Sequence, residues 1–148
     1  MFFVIFSVGK IDLQSCRLKF WDLGGQRDLQ SIWTKYYAEC HAIIFVIDAS
    51  DFERLEEMRK TFSKTIMDDR LISVPILTLA NKDDLPTAMK LYEIKEYLNP
   101  IAENLFAREC KVISVSALTG HGINEAMDWL LSRLKLNSEA KPPNRVQD

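Results

Sequence analysis

The 148-residue chain has the length of one domain and the composition of an ordinary globular protein, with 47% hydrophobic residues. Its 19 Lys and Arg and 21 Asp and Glu leave a net charge of −2, which argues against a protein relying on a strong nonspecific field for nucleic acid. No apolar run approaches the roughly 20 residues of a membrane-spanning helix. We therefore expect a cytoplasmic globular protein that does not bind nucleic acid.

The cysteines and the apolar start of the chain support the same expectation. Cys16, Cys40 and Cys110 are odd in number and far apart, which predicts free thiols that pack as small core residues in a reduced compartment. The apolar residues 1–6 carry no basic segment and are too short for a signal peptide. Residue 2 is Phe, which excludes N-myristoylation, so the chain shows no membrane anchor.

The first part of the chain predicts a β-hairpin followed by a helix. Residues 2–13 and 16–22 have the character of two strands joined near Gln14 and Ser15. Residues 28–39 have helical character, and the apolar residues 42–47 predict the next strand.

Strands and helices alternate in the rest of the chain. Ser50 followed by Glu53 forms a capping-box pattern, which predicts a helix through about Met67. A second helix contains Leu91 to Leu98 and is predicted to end before Asn99-Pro100. The other predicted elements are strands at 74–80 and 111–115, a helix at 123–134 and a disordered tail at 137–148. Near-continuous apolar strands alternating with helices predict an α/β domain whose parallel strands are buried on both faces.

The first motif follows the strand at 16–22, and ligands of such sheets bind at the carboxyl ends of strands. It reads Trp21-Asp22-Leu23-Gly24-Gly25-Gln26. Asp22 suits Mg²⁺, the two glycines let a backbone N–H approach a phosphate, and Gln26 can orient a water that attacks it. A tight strand-to-helix turn accounts for these six residues equally well.

A second motif, Asn81-Lys82-Asp83-Asp84, follows the strand at 74–80. The carboxylate of Asp84 can accept both N–H donors on the N1/N2 edge of guanine, a match that adenine does not offer. The stem of Lys82 can lie along the ring, and the amide of Asn81 can tie neighbouring loops together. A polar loop with an incidental match is the alternative. Asp83 fills the free position of the motif and is expected to be solvated.

A third loop follows the strand at 111–115 and begins Ser116-Ala117-Leu118. Its small residues let a backbone N–H reach a carbonyl oxygen of a base, although Ser, Thr and Gly are common wherever a helix begins. The order of the three motifs adds weight to each, because each follows a successive strand at the same edge of the sheet. His41 and His121 are far from any cysteine cluster, so we assign them structural or surface roles.

With these motifs the sequence resembles the small GTPases of the ADP-ribosylation factor family. Trp-Asp-x-Gly-Gly-Gln distinguishes that family and its Gα relatives from Ras-type sequences. The stretch from Gln30 to His41, QSIWTKYYAECH, is most similar to the ADP-ribosylation-factor-related branch. The resemblance extends from about Phe6 to about Leu134. It implies a Ras-like P-loop NTPase fold, a doubly wound and mostly parallel sheet, over residues 1–136.

The resemblance also implies ligands and residue roles. GTP or GDP would be bound with Mg²⁺, which Asp22 would hold through water; the Gly25 N–H would meet the γ-phosphate, and Gln26 would position the hydrolytic water. The residues that it places at the nucleotide are Asp22, Leu23, Gly24, Gly25, Gln26, Asn81, Lys82, Asp84, Ser116, Ala117 and Leu118. Phe6, Trp21 and Tyr36 fall where the family carries the aromatic cluster that meets effectors; packing within the hairpin or core is the alternative.

The sequence departs from the family at the phosphate loop. The pattern G-x-x-x-x-G-K-[ST] is not found in these 148 residues, and Gly9-Lys10 lies in the predicted second strand of the family, with Val4 and Ile11 at the other required positions. The chain is thus expected to be an N-terminally truncated member that lacks the first strand, the phosphate loop and the first helix. The first strand of the family lies between the strands at 16–22 and 42–47, so its absence would leave a gap or let these two strands pair directly.

Two functional interpretations follow. The first is a guanine-nucleotide-binding GTPase of Golgi and endosomal vesicle traffic, with exchange factors, GTPase-activating proteins, effectors and peripheral membrane association implied by the family. The second is a non-catalytic interaction module that binds nucleotide weakly or not at all, since this chain is expected to be inactive without a phosphate loop. A Rossmann-type or flavodoxin-like binder is a third alternative, but it does not explain Asn-Lys-x-Asp.

Overall fold

The computed structural model describes residues 6–102 and 108–142, and the chain divides into two compact units, residues 1–39 and 40–148. The first unit contains an antiparallel hairpin of β1 (Phe6–Asp12) and β2 (Arg17–Leu23), followed by α1 (Arg27–Trp33). The predicted hairpin is confirmed from Phe6 onward, while residues 2–5 lie outside the described part. The helix predicted at 28–39 is shorter than expected: it ends at Trp33, and turns closed by backbone hydrogen bonds continue to Glu39.

The second unit contains a three-stranded parallel sheet in the order β3-β4-β5. Its strands are β3 (Ile43–Asp48), β4 (Ile76–Asn81) and β5 (Cys110–Ser114). The helices are α2 (Leu55–Ile66), α3 (Leu91–Ala102) and α4 (Ile123–Leu136), with short 3₁₀ helices at Phe52–Arg54 and Asp69–Leu71. The α/β prediction is confirmed. In the described residues β1 and β2 form one sheet, and β3, β4 and β5 form another.

The core of this unit lies between the sheet and two helices. Its buried residues are Ile47, Ala49, Phe62, Ile66, Ile76, Ala80, Ala88, Met89, Ile94, Leu98 and Ile101. The rings of Phe45 and Phe62 meet edge to face with centroids 5.1 Å apart. Successive strand residues point to opposite faces of a sheet. Leu77 follows Ile76 in β4 and therefore points to the other face of the sheet, where it is also fully buried. The helix α4 contacts the same strand.

Burial on both faces is confirmed for β4 but not for β3. Four of the six residues of β4 are buried and the other two are partly exposed, because β4 lies between the two other strands. Val46 of β3 is 59% exposed, since β3 is an edge strand of the described sheet. The cysteine prediction was also wrong about packing: Cys16 and Cys110 are exposed, the first in the hairpin turn and the second at the start of the edge strand β5. Cys40 is partly buried, and none of the three cysteines forms a disulfide bond.

Two helix boundaries differ from the predictions. No capping box forms at Ser50, because the Ser50 hydroxyl donates to Asp48. The Asp51 side chain instead accepts a hydrogen bond from the Arg54 N–H at 3.3 Å. The helix α3 does not end before Asn99-Pro100 but continues through Ala102 with Pro100 inside it. Ile101, only 6% exposed, belongs to the same buried face as Ile94 and Leu98. Burial of that face outweighs the hydrogen bond that proline cannot donate.

The register of the parallel sheet determines where its loops emerge. Asp48 at the end of β3 pairs with Asn81 at the end of β4, and Ala80 pairs with Ser114 at the end of β5. The three carboxyl ends therefore lie at one edge of the sheet, and the loops that follow them are neighbours.

Candidate functional site

The loops after β4 and β5 are joined by side-chain hydrogen bonds. The Ala117 N–H donates to Asn81 Oδ1 at 3.0 Å, and Ser116 Oγ donates to Asp84 Oδ1 at 2.6 Å. Asn81 therefore ties neighbouring loops through its amide, as the sequence suggested. The carboxylate of Asp84 is oriented from one side, while the residue itself is exposed.

Ser116 is the fully buried support of this cluster, with 0% of its surface exposed. Its hydroxyl donates to Asp84 and accepts from the Thr119 N–H at 3.1 Å, and its own N–H donates to the His121 carbonyl at 3.0 Å. A buried hydroxyl with both roles filled cannot rotate freely. The orientation of the Asp84 carboxylate is consequently defined before any ligand arrives.

Lys82 is held in an unusual conformation. Its φ of 69° is the only positive value among the described non-glycine residues. Its Nζ lies 2.5 Å from Asp48 Oδ2, and Asp48 Oδ1 accepts from the N–H and hydroxyl of Ser50 at 2.9 and 2.6 Å. Burial raises the pKa of Asp48, but the hydrogen bonds from Lys82 and Ser50 outweigh it and lower the pKa. The hydrogen bond to Asp48 raises the pKa of Lys82.

The exposed end of the loop after β5 presents a free donor. Leu118 is 85% exposed, and among the described amides from 116 to 121 its N–H is the one without a hydrogen-bond partner. The neighbouring Ala117 N–H is already donated to Asn81. The sequence predicted that a backbone N–H of this loop reaches a carbonyl oxygen of the base, but it did not indicate which residue supplies it. The N–H of Leu118 is the best candidate.

Asp83 is not simply solvated, which corrects the sequence-based interpretation. Its side chain is 17% exposed, and its Oδ2 lies 2.5 Å from Nδ1 of His121. Sequence reasoning missed this pair and the Asp48–Ser50 support of Lys82. The only available signal for Asp48 was its position at the end of a strand next to β4.

The Asp22–Gln26 turn belongs to the first unit and is fastened to α1. Trp33 Nε1 donates to the Gly24 carbonyl at 3.0 Å, and Gln30 Nε2 donates to the Gly25 carbonyl at 3.2 Å. Gln26 is the N-cap residue of α1 without a side-chain capping bond, and the residue is exposed. Leu23 ends β2, and a Cβ added to Gly25 would meet open space.

Trp21 and Tyr36 lie together in the first unit. Their ring centroids are 4.9 Å apart with an interplanar angle of 42°, and Lys19 Nζ lies 4.3 Å from the Trp21 ring centroid. Trp21 remains 40% exposed. The side chain of Phe6, the third predicted member of the aromatic cluster, lies outside the described part of the structure.

A metal-binding role rests on Asp22 alone. Within residues 6–102 and 108–142, no group of three or more His, Cys, Asp or Glu residues is arranged to hold a metal ion. Mg²⁺ in phosphate-binding proteins takes one or two carboxylates and completes its shell with phosphates and water. Asp22, exposed and contacted by Ser7 Oγ at 3.4 Å, fits one such ligand but not a complete protein site.

Comparison with known proteins identifies the family. A model of the ADP-ribosylation factor family matches residues 3–134. The chain belongs to this family. It is 48% identical over 126 residues to ADP-ribosylation factor-like protein 3 of Saccharomyces cerevisiae, covering 85% of this chain and 64% of that protein. It is 42% identical over 139 residues to human ADP-ribosylation factor-related protein 1, covering 94% and 69%. The chain thus spans about two thirds of the length of these relatives.

A solved structure of the family has the same fold. The Arl6 (BBS3) small GTPase from Trypanosoma brucei, with the bound nucleotide analogue GppNp, is similar with a TM-score of 0.82 and 25% identity. The match covers 90% of this chain and 81% of that chain. The chain therefore has the Ras-like small-GTPase fold that the family resemblance implied. None of the described helices is long and apolar enough to span a membrane.

Proposed function

We propose that this protein binds guanine nucleotides and recognises the base through the loops after β4 and β5. The observation that carries the proposal is the hydrogen bond from buried Ser116 that orients the exposed carboxylate of Asp84. Membership of the ADP-ribosylation factor family supports the same ligand, GTP or GDP.

The donors and acceptors of the cluster match the edge of guanine. Asp84 accepts from N1–H and from the exocyclic amino group, and the unpartnered N–H of Leu118 donates to O6. Asn81 Oδ1 is occupied by Ala117, which leaves its NH₂ group for N7. The stem of Lys82 lies along the ring while Asp48 holds its ammonium group.

Adenine is excluded by the same groups. At the positions of guanine N1–H and O6, adenine has an acceptor and a donor, so Asp84 would face a lone pair and the Leu118 N–H would face another N–H. A site built around hydrogen bonds rejects a ligand that leaves its polar groups unpaired. Selectivity for guanine therefore resides in Asp84 and Leu118.

The phosphate end is assigned to the Asp22–Gln26 turn. Gly25 offers its N–H to the γ-phosphate, Asp22 would hold Mg²⁺ through water, and Gln26 orients the attacking water during hydrolysis. Bound Mg²⁺ would supply neutralising charge for the phosphates. Family membership supports these roles.

The cellular role that we propose is in Golgi and endosomal vesicle traffic. This rests on the similarity to ADP-ribosylation factor-related protein 1 and on the family motifs. In this role the protein would work in the cytoplasm and at the Golgi and would associate peripherally with membranes. Its partners would be exchange factors, GTPase-activating proteins and effectors.

A second function, that of a protein-interaction module, is favoured by one observation. Trp21 is 40% exposed although its ring contacts both Tyr36 and Lys19. Partly exposed aromatic residues are typical centres of protein interfaces. This surface would bind effectors whether or not the chain binds nucleotide tightly.

Exchange of Asp84 for Asn tests base recognition. The amide keeps one acceptor but replaces the other with a donor, which suits xanthine, whose C2 carries a carbonyl, better than guanine. We expect GDP affinity to fall about a hundredfold, since one charge-assisted hydrogen bond is lost and the other loses its charge, and XDP affinity to rise. Fluorescent GDP, XDP and ADP are titrated into each protein with MgCl₂.

Asp128→Asn is the matched control, because Asp128 is an exposed residue of α4 outside the site. It should leave all three affinities unchanged. Equal affinity of the unmodified chain for GDP and ADP, or an Asp84→Asn variant that still prefers GDP, would contradict the proposal.

A further inference from the structure

The two base-recognition loops are linked by a side-chain hydrogen bond outside the predicted base contacts. Oδ2 of Asp83, in the loop after β4, lies 2.5 Å from Nδ1 of His121, in the loop after β5. A carboxylate can only accept, so Nδ1 carries the proton of this hydrogen bond. The Asp83 side chain is 17% exposed and that of His121 is 66% exposed, so solvent reaches the pair mainly at His121.

Backbone hydrogen bonds anchor both partners to the two residues that follow β5. The Asp83 N–H donates to the Val115 carbonyl at 3.1 Å, and the His121 carbonyl accepts from the Ser116 N–H at 3.0 Å. Each residue of the pair therefore stands beside a base-recognition residue: Asp83 precedes Asp84, and His121 is bonded to Ser116. A change in the distance between the loops would displace the Asp84 carboxylate relative to the Leu118 N–H.

We propose that Asp83 and His121 are positioning residues that hold the two guanine-recognition loops at the separation required by the base. The proposal rests on the proposed function, because it concerns the same site. Neither side chain contacts the base; both act through Asp84, Ser116 and the amide of Leu118.

Other charges around His121 modulate the pair. Glu125 of α4 is paired with Lys111 of β5 at 2.9 Å. The hydrogen bond from Lys111 lowers the pKa of Glu125, and the charges of Lys111, Lys95 and His121 act in the same direction. His121 thus faces carboxylates from the loop after β4 and from α4.

Four substitutions test the proposal in the full chain. Asp83→Asn and His121→Ala, alone and combined, remove the pair, and His121→Lys restores a side-chain donor to Asp83. His41→Ala is the matched control, since His41 is the only other histidine and its Nε2 contacts the Pro142 carbonyl.

The first measurement needs no nucleotide. Amide hydrogen exchange of Asp83 and Ser116 reports the two backbone bonds that the pair protects. We expect each single variant to accelerate both amides about two- to fivefold, the range of an exposed side-chain pair, and the double variant to add nothing further. His41→Ala should leave both rates unchanged, and unaltered exchange in Asp83→Asn and His121→Ala would overturn the proposal.

The second measurement is GDP affinity. We expect the single variants to bind GDP about two- to fivefold more weakly than the unmodified chain. His121→Lys should regain the affinity. Unchanged affinity in both single variants would overturn the positioning role while the proposed function stands.

The two measurements separate the possible failures. If the exchange rates respond but the unmodified chain binds no guanine nucleotide at millimolar concentration, the proposed function fails and the pair is a structural link without a positioning role. If GDP binds selectively and the variants lose affinity without regaining it in His121→Lys, a loss of folding explains the effect and the positioning proposal is overturned.

Discussion

Gly122 shows how one residue shapes the site. Its φ is 72°, and a Cβ at this position would lie 2.3 Å from the Ser114 carbonyl oxygen and 3.0 Å from Val115 Cγ1. Gly120, two residues earlier, has a φ of 84° but open space around its Cβ position. The close approach at Gly122 allows the chain to turn back from β5 into α4, which places His121 beside Ser116.

We expect Gly122→Ala to lower the free energy of unfolding by about 2–5 kcal/mol, combining a left-handed backbone with a clash against backbone oxygen. Gly120→Ala carries only the cost of the left-handed backbone and should lower the free energy of unfolding by about 1–2 kcal/mol. Urea unfolding followed by circular dichroism measures both. Equal effects of the two substitutions would show that the close contact carries no cost.

Among the elements, α3 is the one whose extent local rules do not explain. Pro100 lies inside the helix, where it has no N–H to donate and crowds the preceding turn. The helix nevertheless continues, since Ile94, Leu98 and Ile101 lie on one buried face at helical spacing. Tyr97 adds a hydrogen bond to Glu56 of α2 at 2.8 Å, and its ring lies beneath Arg59.

We expect Pro100→Ala to raise the free energy of unfolding by about 1–3 kcal/mol, because a helical hydrogen bond is gained and a steric conflict is removed. Pro86→Ala is the control, since Pro86 is exposed in a turn, where proline restricts the unfolded chain. Pro86→Ala should therefore lower the free energy of unfolding by about 0.4–1 kcal/mol. Thermal unfolding distinguishes the two signs, and a lower Tm for Pro100→Ala would contradict the analysis.

In the whole molecule, burial is distributed unequally between the two units. Among the described side chains of residues 7–39, two hydrophobic ones are buried, those of Leu18 and Tyr37, whereas the second unit contains the core around Ile66, Ile76 and Ile94. A two-stranded hairpin is marginally stable in water without a hydrophobic face to pack. The local free energy of opening should therefore differ between the two sheets.

We predict that the amides of β1 and β2 exchange with solvent at least tenfold faster than those of β4, where four of the six residues are buried. Hydrogen exchange followed by mass spectrometry measures this on the intact chain, with α4 as an internal reference for the second unit. Equal protection of β1, β2 and β4 would show that the hairpin is as stable as the main core.

The sequence by itself determined the features that depend on local pattern. Apolar, β-branched runs separated by amphipathic stretches predicted the strands and helices of the second unit within about two residues of most boundaries. The loops after β4 and β5 were predicted to lie at one edge of the sheet, and they do, because parallel strands bring their carboxyl ends together; hydrogen bonds from Ala117 to Asn81 and from Ser116 to Asp84 join them. The family motifs likewise indicated the family that the comparisons identify.

Only the tertiary structure decided the features that depend on contacts between distant residues. Asp48 lies 34 positions before Lys82, and Asp83 lies 38 positions before His121, so no local pattern links either pair. Likewise, α3 extends past Pro100 because Ile101 is buried, and Val46 is exposed because β3 is an edge strand in the described sheet. Burial and pairing are properties of the assembled chain, since they depend on which surfaces meet and not on the residue type alone.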